Sequence, residues 1–269
     1  MKFNLKGLLT IAAAASALVL SGCGDKAADS SKIKVGVMAG AEAQVAEVAA
    51  KIAKEQYDLD VELVTFTDYV TPNAALDDGS IDINAFQHKP YLDQQVTDRG
   101  YKITIAGNTF VYPIAGYSKE VDSVEQIAEG ARIAVPNDPT NLGRSLLLLE
   151  QQGLITLREG AGLLATVRDI VTNPKNITIV ELDAAQLPRS LDDVALSIIN
   201  TTYASSINLT PQNDGIFVED KESPYVNLIV SREDNLDAEN VQNFVKAYQT
   251  EEVYNAASEI FQGGVVKGW

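Results

Sequence analysis

Four short runs carry side chains of the kind that grip a small molecule. In Phe86-Gln87-His88-Lys89-Pro90-Tyr91 two aromatics and a histidine follow an apolar stretch, and the proline suits the first turn of a helix. Such a run at the carboxyl end of a strand is well placed to line a cleft. In Val135-Pro136-Asn137-Asp138-Pro139-Thr140-Asn141-Leu142-Gly143-Arg144 two prolines fix a loop and Asp, Asn and Thr offer helix caps. The helix start there presents free N–H groups and a positive dipole end to a carboxylate. Arg144, expected in the first turn, adds a planar fork able to clamp it in bidentate fashion. An arginine is disfavoured by the dipole at that place, which points to a partner. Ile199-Asn200-Thr201-Thr202-Tyr203-Ala204 sets polar residues behind another apolar strand. Tyr225-Val226-Asn227-Leu228-Ile229-Val230 embeds an asparagine in a strand otherwise suited to burial, so its amide needs a partner in the protein or in a ligand.

Signatures of catalysis are missing from the same sequence. His88 is the only histidine and Cys23 the only cysteine, which excludes a His-rich zinc site and leaves no cofactor or metal implied. No G-x-S-x-G elbow, P-loop or G-x-G-x-x-G after a strand occurs. Asp77-Asp78, Asp192-Asp193 and Glu251-Glu252 are sequence neighbours, whose side chains do not generally face one another. The run Glu219-Asp220-Lys221-Glu222 is expected to be a solvated surface turn. The formal charge of −16, with no basic cluster among aromatics, argues against nucleic acid as a partner.

The elements that must hold these runs alternate. Ile33–Met38 and Val61–Phe66 are expected strands, with Val45, Val48, Ala49, Ile52 and Ala53 at helical spacing between them. Strand, helix and strand within some 35 residues point to a βαβ unit and a parallel sheet. A short helix over 73–76, a strand over 81–86 and a helix over 91–98 follow. Strands are expected over 101–105 and 111–117. Residues 131–135 open a second α/β set, with a helix over 141–151 and strands over 177–181, 194–199 and 225–231. Amphipathic helices over 238–248 and 251–261 close the chain. No Gly/Ser- or Pro-rich linker interrupts the middle, so two lobes, if present, are joined by ordered strands.

The N-terminal region sets the expected address. Lys2 and Lys6 precede an apolar run of 13 residues, Leu8 to Leu20. Crossing a bilayer core takes roughly 20 residues, so this run fits an export signal over residues 1–22. Leu20-Ser21-Gly22-Cys23 resembles the bacterial lipobox, in which the cysteine is lipidated and becomes the new N-terminus. Loss of Lys2 and Lys6 with the signal takes the formal charge from −16 to −18. Residues 23–32 then form a small, polar, lipidated tether, and two or more acyl chains would hold it stably to a membrane.

Taken in order, these runs resemble the NlpA lipoproteins, the methionine receptors of ABC transporters. The likeness also takes in Gly40-Ala41-Glu42, Phe66-Thr67-Asp68-Tyr69-Val70, Gly107-Asn108-Thr109-Phe110-Val111-Tyr112-Pro113, Glu222-Ser223-Pro224-Tyr225 and the closing Gly263-Gly264 to Trp269. The resemblance implies a two-lobed α/β periplasmic binding protein, type II-like, with the ligand cleft between lobes joined by two crossover strands. Residues 33–112 and 232–269 would form lobe one and residues 113–231 lobe two. The methionine side chain would lie among Tyr69, Phe86, His88 and Tyr91. Arg144 would take the carboxylate, with Asn141, Asn200 and Asn227 around the polar atoms. A membrane permease and an ATPase are the implied partners, on the periplasmic side of a membrane. Leu191-Asp192-Asp193-Val194-Ala195-Leu196 is about two residues shorter than the family pattern, which bears on Asn200. Gly24 is not the aspartate that favours inner-membrane retention in some bacteria. The residues alone leave open another small amino acid or a dipeptide as ligand, or a surface lipoprotein with an adhesive or membrane-organising role.

Overall fold

A computed structural model of the chain describes residues 30–220 and 223–269. The expected signal, Cys23 and most of the tether lie outside the described residues. The chain folds around two main sheets. The first runs, in spatial order, Val266–Lys267, Ile103–Val111, Val226–Arg232, Ile83–His88, Lys32–Met38, Asp60–Phe66. Lys32–Met38 pairs in parallel with both Asp60–Phe66 and Ile83–His88. The second sheet runs Phe217–Val218, Ala115–Tyr117, Leu196–Ile199, Arg132–Pro136, Thr178–Leu182, and its last three strands are parallel.

This parallel pairing decides where polar side chains gather. A parallel strand needs a crossover helix, and the chain leaves every such strand at the same edge of its sheet. In the first sheet those exits are Ala39–Glu42, Thr67–Val70 and His88–Tyr91. In the second they are Asn137–Asn141, Asp183 and Asn200–Thr202. The two edges face each other.

Helices cover the outer faces because their apolar residues recur at helical spacing. Ala41–Tyr57 buries Val45, Ala46, Ala49, Ile52 and Ala53 against the first sheet, joined by Val241 and Phe244 of Glu239–Tyr248 and Val253 and Ala257 of Glu251–Ile260. Pro139–Gln151 buries Leu142, Leu146, Leu148 and Leu149 against the second sheet. A further apolar cluster joins Met38, Phe86 and Tyr91 of one lobe to Ile199, Tyr203 and Ala204 of the other. Apolar packing thus runs across the cleft floor.

Several expectations are corrected. The span 111–117 is not one strand. Ile103–Val111 stays in the first sheet and Ala115–Tyr117 joins the second. Pro113, which has no N–H for a ladder, sits in the connector. The strand over 225–231, assigned to lobe two, pairs instead with Ile83–His88 and Ile103–Val111 in the first sheet. The chain therefore returns to the first sheet before Val226. A continuous buried run marks a strand covered on both faces but does not tell which sheet it joins. The strand expected over 81–86 runs Ile83–His88, so His88 is its last residue and not part of a following loop. A hairpin of Thr156–Leu157 with Ile170–Thr172 was too short to be foreseen.

Candidate ligand-binding site

The wall from the first lobe is built on a β-bulge. Opposite Ile229 and Leu228 stand Ala85 and Gln87, so Phe86 is the extra residue on its strand. A bulge re-aims side chains and leaves one residue unpaired. Here Asn227 Nδ2 donates to the Phe86 carbonyl at 3.1 Å, replacing the missing ladder bond. That is the partner the strand asparagine needed. His88 caps Lys89–Arg99, its Nδ1 accepting from the Tyr91 N–H at 3.2 Å. Tyr91 in turn donates its hydroxyl to the Tyr69 carbonyl at 2.8 Å. The rings of Tyr69, Phe86 and Tyr91 stand 5.9 to 6.3 Å apart in tilted and edge-on pairs, an aromatic corner.

The opposite wall comes from the N-terminal half of the helix Pro139–Gln151. Asp138 is its N-cap, accepting from the Asn141 N–H at 2.9 Å and the Thr140 hydroxyl at 3.0 Å. The expectation of free N–H groups awaiting a ligand carboxylate is therefore corrected, since a side-chain carboxylate already occupies that end. Arg144 lies in the second turn, not the first. Its Nε donates to Glu219 Oε1 at 2.8 Å, and its Nη2 donates to Glu219 Oε2 and, at 3.0 Å, to the Tyr112 carbonyl. The Tyr225 ring lies 4.2 Å beneath the guanidinium carbon. Glu219 is not the solvated turn residue expected from its acidic neighbours. It sits on the second connector between the sheets, and Tyr112 on the first, so Arg144 ties both.

Buried amides join the walls. Asn141 Oδ1 accepts from His88 Nε2 at 3.2 Å and from Asn200 Nδ2 at 2.9 Å, while its Nδ2 donates to Asp138. This fixes the His88 tautomer, with Nδ1 the acceptor and Nε2 the donor. Burial, and secondly the charge of Arg144, push the His88 pKa down to about 3, so the ring stays neutral. The Asn200 side-chain oxygen, Oδ1, is buried and has no hydrogen-bond partner among the described residues, an unspent acceptor. Thr201 donates to the Pro113 carbonyl at 2.5 Å, and Thr202 donates to Glu42 of the other lobe.

All of Tyr69, Phe86, His88, Tyr91, Asn141, Arg144, Asn200 and Asn227 line one cleft, with Gln87, Tyr112, Thr201 and Thr202 beside them. The two walls are drawn close together, and the cavity between them is only about 20 Å³. Asn141 directs its amide N–H groups to Asp138, and Asn227 directs one of its own to Phe86. Tyr112, Glu219 and Glu42 were not foreseen as site residues. The signal for Tyr112 was weak, a tyrosine before the Pro113 break. Nothing local marked Glu219 or Glu42, whose roles arise from residues distant in sequence.

Two lobes meeting over a cleft with aromatics on one wall and a buried arginine on the other define a two-lobed binding protein of the periplasmic kind. The chain belongs to the NlpA lipoprotein family, whose model matches residues 33–269. It is 80% identical, over the full length of both, to a protein of Vibrio cholerae named probable D-methionine-binding lipoprotein MetQ. A nutrient-binding protein from Burkholderia cenocepacia, solved bound to methionine, is 51% identical and superposes with a TM-score of 0.86 over 88% of this chain and 100% of that one. An ABC-transporter periplasmic substrate-binding protein from Coxiella burnetii is 48% identical, with a TM-score of 0.86 over the same shares. Among the described residues no helix is long and apolar enough to cross a membrane.

Proposed function

We propose that the mature chain is a lipid-anchored receptor that captures methionine in this cleft and hands it to the permease and ATPase of an ABC importer. The observation that carries the reading is the polarity of the cleft. An aromatic corner lies at one wall, a buried guanidinium at the other, and between them Asn200 Oδ1, without a partner among the described residues. A thioether is polarizable and gains roughly 0.3–1.5 kcal/mol from each good sulfur–aromatic contact, which suits Tyr69, Phe86 and Tyr91. The bonds of Arg144 to the protein use Nε and Nη2, which leaves Nη1 for the ligand carboxylate. Asn200 Oδ1 suits the ligand ammonium. His88 acts as a neutral wall and Asn141 orients it together with Asn200. Because side chain and head group sit on different lobes, only the whole amino acid bridges both and favours closure.

These steps are binding steps, and the reading assigns the chain no catalysis. The anchor would be the lipid on Cys23, supported by the lipobox and by the family, with the cleft on the periplasmic side. Mass spectrometry of the small molecule released on denaturing the purified chain tests the reading. Methionine at about one per chain is expected. A different amino acid or a peptide would overturn the substrate, and an empty chain that ignores added methionine would overturn the receptor.

A further inference from the structure

Glu42 is a buried carboxyl that stands behind the cleft lining and reaches it through Thr202. It stands in the first turn of Ala41–Tyr57, in the first lobe, and is only 4% exposed. Its hydrogen-bond partner is the Thr202 hydroxyl, on the helix Thr201–Ser205 of the second lobe, and Thr202 lines the cleft. The titratable groups that face it are the phenols of Tyr69, Tyr112, Tyr203 and Tyr248, all buried enough to have raised pKa values and to stay neutral. No cation is among the groups that shift its titration.

A threonine hydroxyl has one proton to donate and two lone pairs to offer. With the proton held by Glu42 the oxygen can only accept, and with the Tyr69 hydroxyl hydrogen-bonded to it one lone pair remains for the cleft. Two residues away, Asn200 Oδ1 is likewise an acceptor, without a partner among the described residues. The cleft therefore presents acceptors here, with a carboxyl behind one of them, and donors at Arg144. We propose that Glu42 is the positioning residue that makes the cleft select ligands bearing an ammonium group, by holding the Thr202 proton and supplying the counter-charge behind it. The inference rests on the receptor reading and adds to it the group that recognises the amino end.

Its acid–base behaviour follows. Burial pushes the Glu42 pKa up to about 7, the Thr202 bond pulling it back only in part. Below that pH the carboxyl is protonated and donates its own proton to Thr202, whose hydroxyl then turns a hydrogen toward the cleft and opposes an ammonium. An ammonium arriving beside the carboxylate favours its charged form. Binding near neutrality must then release protons, and affinity must rise with pH through about 7.

Calorimetry on the mature chain tests this with methionine and with its desamino analogue, 4-(methylsulfanyl)butanoate, in two buffers of different ionisation enthalpy. Wild type is expected to prefer methionine and to release a fraction of a proton on binding it. Glu42→Gln and Thr202→Val are each expected to cut that preference about tenfold, the scale of one charge-assisted hydrogen bond, by weakening methionine and not the analogue. Glu42→Gln abolishes the proton release. Thr202→Val, which keeps the shape, and proton release by wild type decide the matter should Glu42→Gln fold poorly by circular dichroism. Variants that bind methionine with undiminished preference, or a wild type that binds it with no proton release, would overturn the role of Glu42 and leave the receptor standing. A wild type that binds no methionine would overturn both.

Discussion

Glu219 already holds one edge of the Arg144 fork, so the guanidinium is fixed before any ligand arrives. A rigid donor loses little side-chain entropy on binding, which favours affinity. Arg144→Ala is expected to weaken methionine binding by about 2–5 kcal/mol, the scale for losing one partner of a buried charge pair. It also strands Glu219, so the variant should melt lower even without ligand. Calorimetry showing unchanged affinity would remove Arg144 from the site. His88 makes a second case at this scale. With a folded pKa of about 3 against 6.5 for the free ring, the unfolded chain takes up a proton that the folded chain refuses. Its contribution to stability is therefore present above pH 6.5 and lost as the pH falls, by about 2 kcal/mol on reaching pH 5. Urea unfolding of wild type and His88→Gln should show the gap between them shrink from about pH 7 to about pH 5. A constant gap would mean the ring titrates normally.

Elements show why some of this was legible in the sequence. The helices were readable because Val45, Ala49 and Ile52, or Leu142, Leu146 and Leu149, repeat at helical spacing and all point at a sheet. The four polar runs were readable because parallel strands deliver their carboxyl ends to one place. What stayed hidden depends on partners far along the chain. The Phe86 bulge is set by the opposing strand 141 residues later, and the Glu219 pairing spans 75 residues. Gly143 is another such case. In sequence it looks like a weak point in a helix, and replacing an exposed helical glycine by alanine gains about 1 kcal/mol. In the structure a Cβ there would lie 2.2 Å from the Leu163 carbonyl oxygen, a backbone atom that cannot swing aside. Gly143→Ala is thus expected to destabilise by about 1–3 kcal/mol and to displace its neighbour Arg144. Urea midpoints and methionine affinity should both fall. A more stable variant would show that the 163 segment yields freely.

At the scale of the whole molecule, the lobes touch each other in several places besides the ligand cleft. Tyr203 of the second lobe lies 4.9 Å from the Tyr69 ring of the first and donates its hydroxyl to the Thr67 carbonyl at 3.4 Å, a long bond. The ring contact is the stronger of the two, since aromatic pairs contribute about 0.5–1.5 kcal/mol beyond area burial and a bond of that length contributes little. Both contacts join one lobe to the other, so parting the lobes would break them, and they are expected to act on closing and opening and not on first encounter with a ligand. Differential contact with one state is what shifts an equilibrium between states. Tyr203→Phe keeps the ring and should release methionine at close to the wild-type rate. Tyr203→Ala removes it and should raise the release rate by roughly three- to tenfold, with the association rate nearly unchanged. Stopped-flow fluorescence with a competing ligand measures both rates. If Tyr203→Ala slows association instead, the ring helps form the open receiving surface. If Tyr203→Phe behaves like Tyr203→Ala, the hydroxyl bond to Thr67 carries the closure.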